Sequence, residues 1–216
     1  MVSMPRQYYN KVHTEKSFRL LQKLAGEVEF VLIGGWAVNY YVKQQNSLDI
    51  DIIIAPETLE YFKKYGIDNY GIDVMYTTID AVRVDLFVQG ISDKELLIPI
   101  PEIISSSARI GGVKVVKKEV LMLLKFGGYF SFDRTKTDKD IIDVVGLLFY
   151  GSIDLDEVKR YTDKYGIDER KGPVGMLEYL DKGEKYWDFI TDSREEYQRL
   201  KEKAKADINK VFYNKG

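Results

Sequence analysis

Apolar residues recur along the first half of the chain in short runs broken by glycine and proline, and along the second half at helical spacing. An N-terminal helix is predicted over Glu15 to Glu27. The segment from Glu29 to Gly35 reads as a short buried strand running into a glycine pair, with a helix from Trp36 to about Val42 behind it. Ser47 to Pro56 is rich in isoleucine and ends at proline, the pattern of a largely buried strand. Thr58 to Tyr65 reads as a helix closed by Gly66, and Ile72 to Thr77 with Ala81 to Gln89 as an antiparallel hairpin turning at Thr78 to Asp80. Pro99 and Pro101 mark a linker, and a small strand follows over Gly112 to Val116. Beyond it the pattern predicts helices at Lys118 to Phe130, Asp138 to Tyr150, Leu155 to Tyr165, Val174 to Leu180 and Ser193 to Tyr213.

The expected class is therefore α+β: a small mixed β-sheet flanked by helices over residues 1–112, followed by a helical, substrate-binding domain over 113–216. Charge marks the same division. Residues 1–112 hold 11 basic and 14 acidic side chains and residues 113–216 hold 21 and 20. Within the second half, Lys114 to Lys139 carries seven basic groups against three acidic ones, a patch able to meet phosphates, although a solvated helical face is the usual reason for such a run.

Composition narrows the chemistry. With no cysteine there is no disulfide, thiol nucleophile or zinc ribbon. The lone His13, in a polar stretch, reads as a surface residue, which removes multi-histidine metal sites and most histidine triads. Catalysis is left to carboxylates, lysines, hydroxyls or a hard metal. The longest uncharged apolar run, Phe30 to Val38, falls short of the ~20 residues of a membrane span. No secretory h-region is apparent, so a cytoplasmic protein with no membrane partner is expected.

Asp49 and Asp51 are two apart on a predicted strand, so their carboxylates project from one face within ~7 Å of each other. Such a pair repels unless a cation neutralises it, and Mg²⁺ is typically held by one or two carboxylates plus substrate phosphates. An exposed strand face that happens to carry two aspartates is the plainer alternative. Gly34 and Gly35 lie between the first strand and the next helix, where glycine permits a sharp turn and a helix start favours phosphate. Asp85 sits between Val84 and Leu86, where a charge is costly unless it faces a partner or a site.

Gly34-Gly35, then Asp49-x-Asp51, then Asp85 between hydrophobes resembles the nucleotidyltransferase fold of the DNA polymerase β superfamily. The likeness covers roughly residues 29 to 90. It implies Mg²⁺, or Mn²⁺ in its place, held by Asp49, Asp51 and Asp85 as the metal-binding and catalytic carboxylates, with Asp85 helping to deprotonate the attacking hydroxyl. Gly34 and Gly35 would cradle the triphosphate. A weaker likeness follows: Leu121 to Lys125, then Arg134, then Lys139-Asp140 and Asp143, is similar to AbiEii-type toxin nucleotidyltransferases and their minimal relatives. It implies that Lys125 and Asp140 meet the nucleotide. An arginine and a threonine common before the paired aspartates are replaced here by Lys43 to Ser47, with Ser47 able to supply the hydroxyl. Tyr40, Tyr41 and Tyr129 are candidates to stack on a base, although core or interface positions are commoner for tyrosine.

The expected activity is Mg²⁺-dependent transfer of a nucleoside monophosphate from an NTP such as ATP to a hydroxyl acceptor, a small molecule, a protein or a tRNA-like RNA, with release of pyrophosphate. The alternative is a catalytically silent nucleotide-binding or regulatory module. An antitoxin partner, or a homodimer formed through the helical half, is compatible with either.

Overall fold

The computed structural model describes residues 8–43, 46–70, 74–94, 96–127 and 138–214. Asn10 opens the first helix by accepting the Val12 N–H at 2.9 Å, and α1 (Lys11–Glu27) then buries Leu20, Leu21 and Leu24. Next come β1 (Val31–Ile33), α2 (Gly34–Tyr41), β2 (Ile50–Ile54), α3 (Leu59–Lys63), β3 (Asp68–Tyr70), β4 (Val74–Ile79) and β5 (Val82–Val88). After α4 (Ile100–Ser106), β6 (Ala108–Ile110) and β7 (Val113–Val115), the chain is helical: α5 (Lys118–Gly127), α6 (Asp138–Tyr150), α7 (Leu155–Tyr165), α8 (Pro173–Lys182) and α9 (Arg194–Phe212).

The strands form one mixed sheet in the order β3-β4-β5-β2-β1-β7-β6. β1 is antiparallel to β2 and parallel to β7, and β2 is parallel to β5, so β1 and β2 lie at the centre. All five residues of β2 are buried, as its isoleucines require. The α+β class expected from the sequence is what the chain adopts. Hairpin β6–β7 straddles residue 112, so the sheet takes in residues up to 115 and the helical run starts at Lys118.

Several local expectations are corrected. The β4–β5 turn falls at Asp80 and Ala81, one residue later than expected, and both have left-handed φ, 50° and 56°. Two such residues match the twist of the flanking strands, which lets Ile79 pair with Val82. The Pro99–Pro101 stretch is no linker. Pro99 precedes α4 and Pro101 lies in its first turn, where no backbone N–H is needed, and the helix buries Ile100 and Ile103. The helix expected at Trp36 begins two residues earlier, at Gly34. Strands β3 and β6, three residues each, have no distinct apolar pattern and were not anticipated.

Helix α2 joins the two halves: it packs on β1 and β2 on one side and on α5 and α6 on the other. Trp36 on α2 is buried and donates its indole N–H to Ser17 Oγ of α1 at 2.8 Å, so the polar edge of a core ring is satisfied. At the far end, Ser193 caps α9 by accepting the Glu196 N–H at 3.1 Å, and Glu196 reaches back to the Asp192 N–H. No helix among the described residues is long and apolar enough to cross a membrane.

Candidate functional site

The centre of the sheet carries the acidic cluster. In the β2–β5 ladder Asp51 stands opposite Asp85, and residues directly opposite on paired strands share a face. Asp49 lies in the bend just before β2 rather than on the strand, yet it reaches the same place. One carboxylate oxygen from each of the three lies within 4.8 Å of the others. Asp51 and Asp85 are 8% and 7% exposed, so their charges sit largely out of water.

Each carboxylate is held. Ser47 Oγ donates to Asp49 Oδ1 at 2.7 Å, and Arg83 Nε donates to Asp85 Oδ1 at 2.6 Å. Asp51 is seated against Gly34, where φ is +67° and a Cβ would fall 1.9 Å from Asp51 Oδ2. At Gly35 a Cβ would fall 2.5 Å from Ser47 Oγ. Both glycines are therefore required by close approach of the acidic cluster and its supporting loop, and they form the buried first turn of α2.

The donor set fits a hard divalent cation. Three carboxylates crowded together raise one another's energy until a cation neutralises them. Oxygens around an octahedral Mg²⁺ are about 4.2 Å apart when opposite and about 3.0 Å apart when adjacent for ~2.1 Å bonds, so the three carboxylates would draw together to close on such an ion. Among the described residues this is the one group of three or more potential ligands that converges.

A second charged cluster forms between α5 and α6. Lys125 Nζ lies 2.9 Å from Asp143 Oδ2 and 3.2 Å from Asp140 Oδ1, and Lys139 bonds the other Asp143 oxygen. Asp143 is completely buried and the lysines nearly so. Burial draws the Lys139 ammonium below the ordinary lysine range, against the opposing pull of Asp143. Asp143 thus pairs with Lys125 and Lys139, whereas Arg134 of the same sequence likeness lies outside the described residues, as does Tyr129.

Tyr9 is within electrostatic reach of both clusters. Burial, followed by the fields of Asp49 and Asp143, pushes its hydroxyl up to about 12. Its neighbour Tyr8 packs edge-on against Phe189, with centroids 5.5 Å apart, which ties this segment to the helical half.

The residues proposed from sequence are thus found in two groups: Asp49, Asp51, Asp85, Gly34, Gly35 and Ser47 in one, Lys125 and Asp140 in the other. Tyr40 and Tyr41 are engaged elsewhere. Tyr40 accepts from Gln22, and Tyr41 donates to the Val116 carbonyl. His13 is exposed. Sequence reasoning missed Tyr9 and Arg83, and named Lys139 without its pairing to Asp143. Arg83 was within reach of it, since residues two apart on a strand share a face and Arg83 precedes Asp85 by two.

No protein-family model matches the chain, and no curated protein matches it. Among solved structures it is similar to JHP933 from Helicobacter pylori, with a TM-score of 0.51 and 18% identity over 95% of this chain and 94% of that one. That likeness shows a shared fold across nearly the whole chain. A more remote similarity, TM-score 0.36 and 11% identity, is to the Megavirus polyadenylate synthase, of which 57% is covered by 97% of this chain.

Proposed function

We propose that the protein is a divalent-metal-dependent nucleotidyltransferase that transfers a nucleoside monophosphate from an NTP to a hydroxyl acceptor and releases pyrophosphate. The observation that carries this reading is the convergence of Asp49, Asp51 and Asp85 beside the Gly34-Gly35 start of α2. Mg²⁺ held by these carboxylates would neutralise charge on the triphosphate and lower the pKa of an acceptor hydroxyl.

The chain's own groups have separable tasks. Ser47 orients Asp49, and Arg83 orients Asp85. The α2 start, free of side-chain caps, offers backbone N–H groups to phosphate oxygens. Asp85 takes the proton of the acceptor hydroxyl. Lys125, pre-set by Asp140 and Asp143, supplies positive charge toward the phosphates across the cleft. The combination of these parts with the AbiEii-like order of Lys125, Lys139, Asp140 and Asp143 favours a toxin-type transferase with a cognate antitoxin.

The test incubates the protein with cell extract and each α-phosphate-labelled NTP in turn, with Mg²⁺ or Mn²⁺. Label should enter one acceptor class, and Asp49→Asn and Asp85→Asn should each abolish transfer while circular dichroism stays native. Undiminished turnover in both variants refutes the assignment. NTP binding without turnover would instead identify the silent module.

A further inference from the structure

A recess of about 380 Å³ opens between α1 and α2, and none of the residues that line it belongs to the acidic cluster. Phe18 and Arg19 contribute from α1, Trp36 and Asn39 from α2, and Asn46 from the loop that follows α2. The packing of the two helices gives the recess its aromatic wall. Trp36 is buried and its indole N–H is spent on Ser17, while the Phe18 ring lies against it with centroids 5.1 Å apart and planes tilted by 43°. Phe18 nevertheless stays 38% exposed, so part of a ring that packs on the core is left uncovered.

The rim is short of acceptors. Its charged residues are Lys11, Arg19 and Glu15, an excess of one positive charge. Glu15 reaches Lys11 only at 3.7 Å and Arg19 only at 3.9 Å, beyond hydrogen-bond distance, and both basic side chains are exposed, so the two cations can turn to another anion. Asn46 accepts from the Asn39 amide at 3.3 Å through its side-chain oxygen, which leaves its own NH₂ as a donor. The volume is near the lower end for ligand sites, so one or two rings fit and a polymer does not. Along the chain Asn46 precedes Ser47, whose hydroxyl donates to Asp49 and sits against Gly35. The recess and the acidic cluster therefore share the loop over residues 46–49.

We propose that this recess is a regulatory site for a planar aromatic monoanion and that its occupancy tightens the metal site. The ring covers Phe18, and the anionic group meets Lys11, Arg19 and the Asn46 amide. Asn46, once held, fixes the loop from which Asp49 reaches the cation. A loop ordered in advance loses less freedom when Asp49 closes on the metal, and this is the source of the gain. By linkage the cation must tighten binding of the aromatic anion by the same factor. The regulatory part rests on the metal-dependent reading above, and the binding part does not.

The test titrates β-naphthoate, the neutral β-naphthylmethanol and Mn²⁺ into the full chain by calorimetry, with no nucleotide present. Naphthoate should bind with a Kd on the order of 0.1 mM, about tenfold tighter than the alcohol, and lose that advantage at high salt. Of the two tryptophan indole N–H signals in a proton–nitrogen NMR spectrum, assigned with Trp187→Phe, that of Trp36 should shift on binding. Phe18→Ala should weaken both organic ligands about tenfold. Arg19→Gln should weaken naphthoate alone, by about threefold, and Lys16→Gln, outside the recess, neither. Saturating naphthoate should tighten Mn²⁺ about threefold, Mn²⁺ should tighten naphthoate equally, and Ser47→Ala should erase both effects while naphthoate still binds. Equal losses from Lys16→Gln and Arg19→Gln, or equal binding of the acid and the alcohol, overturn the site. Naphthoate binding that leaves Mn²⁺ affinity unchanged overturns the regulation. Naphthoate binding by a protein with no measurable Mn²⁺ affinity overturns the metal reading and leaves the aromatic-anion site standing.

Discussion

Replacing Gly34 with alanine tests whether the glycine pair exists to seat Asp51. Two costs are separable. Backbone at φ +67° is unfavourable for any residue with a Cβ, by ~1–2 kcal/mol. Gly66, with φ +79° and nothing within 4 Å of an added Cβ, carries that cost alone. At Gly34 the added Cβ would also sit 1.9 Å from Asp51 Oδ2, 2.5 Å from Cγ and 2.8 Å from Cβ. Turning the carboxylate cannot relieve a contact that extends to Asp51 Cβ, so β1 and β2 must move apart at the Ile33–Asp51 register position. Overpacking of this kind costs a further ~1–3 kcal/mol. Gly66→Ala should therefore destabilise by ~1–2 kcal/mol and Gly34→Ala by ~2–5 kcal/mol in urea unfolding. Gly26→Ala, in open space within α1, should be neutral or stabilising by up to ~1 kcal/mol. Mn²⁺ affinity, read by calorimetry, should fall at least about tenfold in Gly34→Ala, because a ligand is displaced, and stay native in the other two. If Gly34→Ala matches Gly66→Ala in both unfolding midpoint and Mn²⁺ affinity, the seating argument is wrong.

Ser47→Ala removes the hydrogen bond that orients Asp49 and should lower Mn²⁺ affinity about tenfold, with little change in unfolding midpoint. Asp143→Ala leaves Lys125 and Lys139 buried without their shared anion, so a loss of about 3–5 kcal/mol is expected in urea. A native midpoint would mean the network relaxes into water. Hydrogen bonds from Arg160 and then Lys117 hold the Glu157 carboxyl down at about 2, from an ordinary 4.5. A depressed carboxyl contributes stability that is complete above pH 4.5 and is lost as pH falls toward 2. Between those values the unfolding midpoint should fall more steeply in the native protein than in Glu157→Gln, and parallel curves would refute the coupling.

Local chemistry was readable where one period dominated. The isoleucines of β2 announce their strand, and the α6 run from Asp138 to Tyr150 and the α7 run from Leu155 to Tyr165 announce both their helix and its ends. Asp49, Asp51 and Asp85 stood out because carboxylates among apolar strand residues require a reason. What depends on distant pairing stayed hidden. Nothing near Tyr9 signals that it feels the field of Asp49, forty positions on, and Asp143 finds Lys125 only once α5 and α6 pack. The α4 prolines misled because two prolines one residue apart fit an extended linker as well as the first turn of a helix, and the burial of Ile100 and Ile103 accompanies the helix that forms here.

The central position of β1 bears on how the chain is made. Val31, Leu32 and Ile33 are buried and need two partners, and one of these, β7, is not synthesised until roughly 80 residues later. At typical ribosomal rates of about 5–20 residues per second, one edge of an apolar strand waits unpaired for about 4–16 s. Such an edge is a template for pairing with other chains. Soluble yield should therefore respond to synthesis rate and temperature, and a chain truncated before Val113 should aggregate even though it contains every residue of the acidic cluster.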